Sequence, residues 1–179
     1  MADYVISVPH ADGGPECTSE YHCKDLAAQP FAEWLAQFLM PCGSVSLHVG
    51  DVKRTVCDLN RHQCHDRPFR KRVRADIERG KTVVTDAHSF PASARTKFLN
   101  AQVAVLSEPG VGDEVVRALR ANGWRAERLL PDYSTDDILA DARAKGAKER
   151  LLIEIDEANR KGAERIARTV SQVLCGRHG

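Results

Sequence analysis

Apolar residues along this chain fall into short continuous runs and longer helical stripes, and the two alternate. The run 4–8, Tyr-Val-Ile-Ser-Val, stops at Pro9 and reads as a buried strand. Pro30 suits the first turn of a helix, and Phe31, Trp34, Leu35, Phe38 and Leu39 follow at helical spacing. Strands are predicted over 44–49 and 82–86, with a shorter one over 55–59, and a helix over 67–79 stopped by Gly80. The second half keeps the rhythm, with strands over 102–106, 124–130 and 150–155 and helices over 113–122, 135–145 and 158–174. Gly123 and Gly146 stop two of these helices in the same way. Such alternation predicts a three-layer αβα architecture, a mostly parallel mixed sheet with helices on both faces. No repeat or linker interrupts it, so residues 1–179 are read as one domain.

Composition changes this picture little. The chain is 42% hydrophobic and 28% charged, ordinary for a globular protein. A formal net charge of +1 provides no global field to recruit nucleic acid or an anionic membrane. No stretch approaches the roughly 20 apolar residues of a membrane span. The first residues lack the basic start and apolar run of a secretory signal. A cytoplasmic protein is therefore expected, with its six cysteines reduced. The basic run 67–74 places Phe69 and Val73 four apart, facing the core, and its arginines and lysine on a solvated helix face. The residues do not specify an oligomeric state.

In open α/β sheets, active residues gather beyond the carboxyl ends of the strands. After the first strand comes Pro9-His10-Ala11-Asp12-Gly13-Gly14-Pro15-Glu16. After the second come Arg54 and then Asp58-Leu59-Asn60-Arg61. The strand beginning at Thr82 ends in Asp86-Ala87-His88-Ser89, and the strand beginning at Arg150 carries Glu154 among aliphatic residues. A carboxylate in that setting is costly to bury unless it has a partner or a task. Two histidines, several carboxylates and two arginines make the inventory of a metal-assisted hydrolysis. Cys57, His62, Cys64 and His65 lack the paired spacing of a structural zinc motif. Cys17, His22 and Cys23 are read as incidental, and His48 as a strand residue with a satisfied ring.

Pro-His near the start, Arg-Thr-Val-Cys-Asp-Leu-Asn-Arg at 54–61, Asp-Ala-His-Ser at 86–89 and Ile-Glu-Ile at 153–155 occur in order. Together they resemble the signature blocks of the N-formylglutamate amidohydrolase family and, more distantly, of aspartoacylase and the zinc carboxypeptidases. The resemblance implies zinc held by His10 and His88, with a carboxylate soon after the first histidine as third ligand. Position 13, where carboxypeptidase-like spacing would put that carboxylate, is glycine. Glu16 is the expected ligand, with Asp12 and Glu20 as alternatives. Asp86 is either a ligand or the group that orients one. Glu154 resembles the catalytic glutamate, Arg54 the oxyanion stabiliser, and Asn60 and Arg61 the clamp on a substrate carboxylate. Asp58 is expected to orient its loop.

Residues 98–149 read as plain strand–helix alternation and lack the Asn- and Gly-rich block of the formylglutamate enzymes. The implied activity is zinc-dependent cleavage of the amide bond of a small N-acyl, formyl-like amino acid by metal-activated water. The alternatives are a zinc carboxypeptidase acting on a short peptide and a catalytically silent binding protein with the same fold. The implied partner is a small carboxylate-bearing amide or peptide.

Overall fold

The computed structural model describes residues 2–11 and 24–178. The expected ligand Glu16, its alternatives Asp12 and Glu20, and Cys17, His22 and Cys23 lie outside them.

The strands are β1 (Ala2–Val8), β2 (Gly43–Val49), β3 (Thr82–Phe90), β4 (Val103–Leu106), β5 (Ala126–Leu129) and β6 (Glu149–Asp156). The helices are α1 (Ala28–Leu39), α2 (Pro68–Ala75), α3 (Val111–Ala121), α4 (Asp137–Ala144) and α5 (Ala163–His178). The strands form one sheet in the order β2-β1-β3-β6-β4-β5. Every pairing is parallel except β4 with β6. This is the mixed, mostly parallel αβα sheet that the alternation predicts.

Side chains alternate across a strand, so each strand serves two layers. One face presents Tyr4, Ile6, Val8, Ala87, Val103, Val105, Ile153 and Ile155 to α1, α3 and α5 in the larger core. The other presents Val5 and Val84 to Phe69 and Val73 of α2 and Ile138 and Ala142 of α4. These two helices have eight residues each, and their main contacts are with β2, β3, β6 and each other. The face over β4 and β5 therefore lies beyond their main contacts. β3 is buried along its whole length. Its ionisable residues Asp86 and His88, with Ser89, cluster towards the carboxyl end.

Two local expectations are corrected. Residues 55–59 form turns rather than a strand, with the amides of Val56 and Cys57 both donating to the Lys53 carbonyl. A Cys57–Cys64 disulfide closes the following loop, which favours a compact turn over extended pairing. Helix α2 ends at Ala75, short of the predicted 79, and the chain turns at Asp76.

The expectation of reduced cysteines is also overturned. Cys42 and Cys175 form a second disulfide, and no described cysteine is free. Such bonds persist most readily in oxidising compartments. No helix among the described residues is long and apolar enough to cross a membrane. Cys42–Cys175 joins the start of β2 to the end of α5 across 133 positions, a long loop whose closure restricts the unfolded chain. The Cys42→Ser/Cys175→Ser variant is expected to lose about 2–5 kcal/mol of unfolding free energy. Urea denaturation beside the parent protein measures this, and an unchanged midpoint would contradict it.

Candidate active site

The carboxyl ends of β1, β3 and β6 bring three of the predicted residues together. His10 follows β1, His88 is in β3, and Glu154 of β6 is the direct register partner of His88. The two imidazole rings lie edge to face with centroids 4.9 Å apart. The loop after β2 closes over them. Its Gly50 donates its amide to the Val8 carbonyl, and a Cβ at that position would collide with the Pro9 carbonyl. Only glycine lets the loop approach His10 this closely.

Asp25 lies against both rings. Its Oδ2 lies 3.2 Å from His10 Nδ1 and 3.1 Å from His88 Nδ1 and accepts the Ser89 amide at 3.3 Å. The Asp25 amide in turn donates to the His10 carbonyl. Each ring has its other nitrogen on a different carboxylate. His10 Nε2 is 2.8 Å from Asp58 Oδ1, and His88 Nε2 is 2.8 Å from Asp86 Oδ2. Asp86 is held from behind by the Ser7 hydroxyl at 2.5 Å. Asp58 thus does more than orient its loop, because it also fixes the His10 ring. Nothing in sequence spacing marks Asp25, which lies 15 residues beyond His10.

The electrostatics are those of a site crowded with carboxylates. Burial pushes the Asp25 carboxyl up, but hydrogen bonds to His10 and His88 outweigh it and hold it well below the usual carboxylate range. Burial also raises Asp58, and its bonds to His10 and the nearby Arg54 charge bring it well down. Burial opposes charge on His88, yet Asp86 and Asp25 hold its pKa well above that of a free imidazole. Glu154 is partly buried, with its Oε2 shut off from solvent, and burial, reinforced by Asp25 and Asp86, pushes it up to about 7. Its Oε2 has no hydrogen-bond partner among the described residues. Asp136, the N-cap of α4, is likewise raised by burial and by Asp86.

Arg54, Asn60 and Arg61 line the same cavity as His10, His88 and Glu154, a space of about 440 Å³. Arg54 donates from Nε to Asp58 at 3.2 Å. Arg61 is more exposed and lies 3.8 Å from the same carboxylate. The Asn60 side-chain oxygen accepts the Ile138 amide, which leaves Nδ2 directed at the centre, 3.3 Å from His88 Nε2. Oxygen and nitrogen donors converging in this way suit a metal ion. His10, Asp25 and His88 form one buried group able to hold an ion, and Asp86, His88 and Asp136 form a second that shares His88.

No protein-family model matches the chain, and no curated protein does. Solved structures do match over nearly its whole length. The Agrobacterium tumefaciens gene product Atu2144 is 16% identical with a TM-score of 0.70, covering 99% of this chain and 90% of that one. The N-formylglutamate amidohydrolase of Ralstonia eutropha is 16% identical with a TM-score of 0.62, covering 98% and 93%. A bacteriophage poly-γ-glutamate hydrolase is 15% identical with a TM-score of 0.62, covering 100% and 86%. This chain has the fold of these three proteins. Within that fold, the predicted residues 10, 54, 60, 61, 88 and 154 all border one cavity.

One buried cation holds the loop in place, and sequence reasoning missed it. Arg70, assigned to a solvated face, is 1% exposed. It donates to the carbonyls of Leu59 and Asp137 and to the Asp141 carboxylate at 2.6 Å, tying the Asn60 loop to α4. Arg70 lies three residues before the core residue Val73, on the buried face of the helix, and its charge alone assigned it to solvent. Arg70→Met is expected to cost about 3–5 kcal/mol, since it strands buried acceptors and a carboxylate. Chemical denaturation checks this, and a loss below about 1 kcal/mol, the range of an exposed pair, would place the anchor elsewhere.

Proposed function

We propose that this protein is a zinc-dependent amidohydrolase that cleaves the amide bond of a small N-acyl amino acid. The observation that carries the reading is the convergence of His10 Nδ1 and His88 Nδ1 on one Asp25 oxygen, with each Nε2 on a separate carboxylate. Every ring nitrogen of the pair therefore faces a carboxylate oxygen. Five carboxyl groups (Asp25, Asp58, Asp86, Asp136 and Glu154) surround the two rings in a poorly solvated space. His10 Nδ1, His88 Nδ1 and Asp25 Oδ2 would hold a divalent ion as their common partner in place of the two Nδ1 protons, and two imidazoles with one carboxylate suit catalytic zinc.

In this reading His10, His88 and Asp25 are the ligands. Asp25 takes the third place expected for Glu16. Asp58 and Asp86 accept the Nε2 protons and so hold both rings with Nδ1 unprotonated and aimed at the ion. When bound, zinc supplies a Lewis acid and lowers the pKa of water at the site. Glu154 is the proton carrier. Its unpartnered Oε2 takes a proton from the attacking water and delivers it to the departing amine nitrogen. A carboxyl poised near neutrality suits both halves of that transfer. The Arg54 guanidinium faces the negative charge that develops on the carbonyl oxygen. Arg61 and Asn60 Nδ2 hold the substrate carboxylate, the asparagine with its amide fixed by Ile138.

The test combines metal analysis with kinetics on N-acyl amino acids and C-terminal peptides. His10→Ala and His88→Ala are expected to lose stoichiometric zinc, and full retention in both would refute the centre. Asp25→Asn is expected to lose it too. Retention there, with loss in Glu16→Gln, would return the third ligand to Glu16. Glu154→Gln should keep zinc and lose roughly 10²–10⁴-fold in kcat. Arg61→Ala should act on KM, and Arg54→Ala on kcat. Cleavage of peptides alone would make the protein a carboxypeptidase, and zinc binding with no turnover would leave a binding protein.

A further inference from the structure

The cavity does not end at the polar centre. Strand pairing sets side chains in rows across the sheet. The row that contains Asp86 in β3 continues through Leu152 in β6, Leu106 in β4 and Leu129 in β5. The adjacent row runs His88, Glu154, Ala104 and Glu127, so the neighbour of Glu154 is a small residue that leaves the floor low. Leu152 is buried, while Leu106 and Leu129 are partly open. Phe98, from the short 3-10 helix Ala92–Phe98, and Leu139 of α4 flank this floor, with Leu130 and Pro131 at the rim. The polar residues on this side are Lys97, Asp132, Thr135 and Asp136.

The sheet order gives this groove a direction. The loop carrying Arg54 and Arg61 follows β2 and reaches the start of α4 through Asn60, β1 and β3 hold the histidines beneath it, and the leucine row begins on β6 and runs out over β4 and β5. A substrate with its carboxylate on the arginine side and its amide carbonyl beside Glu154 extends its acyl group along the leucines. A formyl group, with a single carbon, would leave the row unused.

We propose that the groove over Leu152, Leu106 and Leu129 binds an apolar acyl chain, so that the substrate is an N-acyl amino acid with a medium-length aliphatic or aromatic acyl group. This rests on the amidohydrolase reading for the position of the amide. Burial of apolar surface supplies the selectivity, roughly fourfold in affinity for each methylene taken from water.

Non-hydrolysable sulfonamides test it by binding alone. Calorimetric titration of the zinc-loaded protein with N-hexylsulfonylglycine should give a Kd at least about 30-fold below that of N-methylsulfonylglycine. Leu106→Asn and Leu129→Asn, each at a partly open position, should shrink that ratio below about tenfold and leave the methyl compound's Kd unchanged. Equal affinity for the two compounds, or a ratio untouched by either substitution, would overturn the groove. Turnover of N-hexanoylglycine and N-formylglycine by the same preparation separates the two claims. Chain-length-dependent binding without hydrolysis keeps the groove and refutes the amidohydrolase. Hydrolysis of both with no chain-length dependence refutes the groove alone.

Discussion

The structure depends on a charge imbalance buried where the β1 and β3 strands end. Carboxylates outnumber imidazoles around His10 and His88, and the two ring nitrogens nearest each other share a single oxygen of Asp25. Isolated buried charges cost far more than a domain's net stability. The surroundings answer with hydrogen bonds. Asp86 receives Ser7, Asp25 receives the Ser89 amide, and Asp58 receives Arg54 and the Asn60 amide. Each of these fixes a donor direction, so a centre that is expensive to assemble is also rigid.

That rigidity comes from unequal covering of the sheet. Three helices seal one face in the larger core, and among the described residues the other carries the eight-residue α2 and α4. The lightly covered face can therefore hold both a polar centre and an open groove. The loop that overhangs it has little regular structure and relies on specific ties. Arg70 grips its Leu59 carbonyl, the Cys57–Cys64 disulfide spans Asp58 to Arg61, and Gly50 lets it press against Pro9. A second disulfide fastens β2 to α5 on the sealed side.

The sheet, the helices of the second half and the strand-end placement of His10, His88 and Glu154 were legible because they follow from periodicity and from where parallel strands end. The exceptions have separate physical causes. Residues 55–59 have strand-like composition, but a disulfide and the pull of Asp58 towards His10 bend them into turns. Arg70 follows a core residue in a basic run, and its burial is decided by acceptors from distant segments, Leu59 and Asp137. Asp25 meets the histidines through tertiary closure rather than through any fixed spacing. The antiparallel β4 is invisible in its own residues, because direction is a property of the connection. Free thiols were inferred from a missing secretion signal, whereas the paired sulfurs lie 7 and 133 positions apart and meet only in the fold.

The most direct test of the central claim is a crystal structure of the zinc-loaded protein with anomalous data collected on either side of the zinc edge. The account predicts one strong peak about 2.0–2.1 Å from Nδ1 of both His10 and His88, with Nε2 of each ring still on Asp58 and Asp86. A peak bound through Nε2, a peak remote from either ring, or none at full zinc occupancy in solution would contradict it.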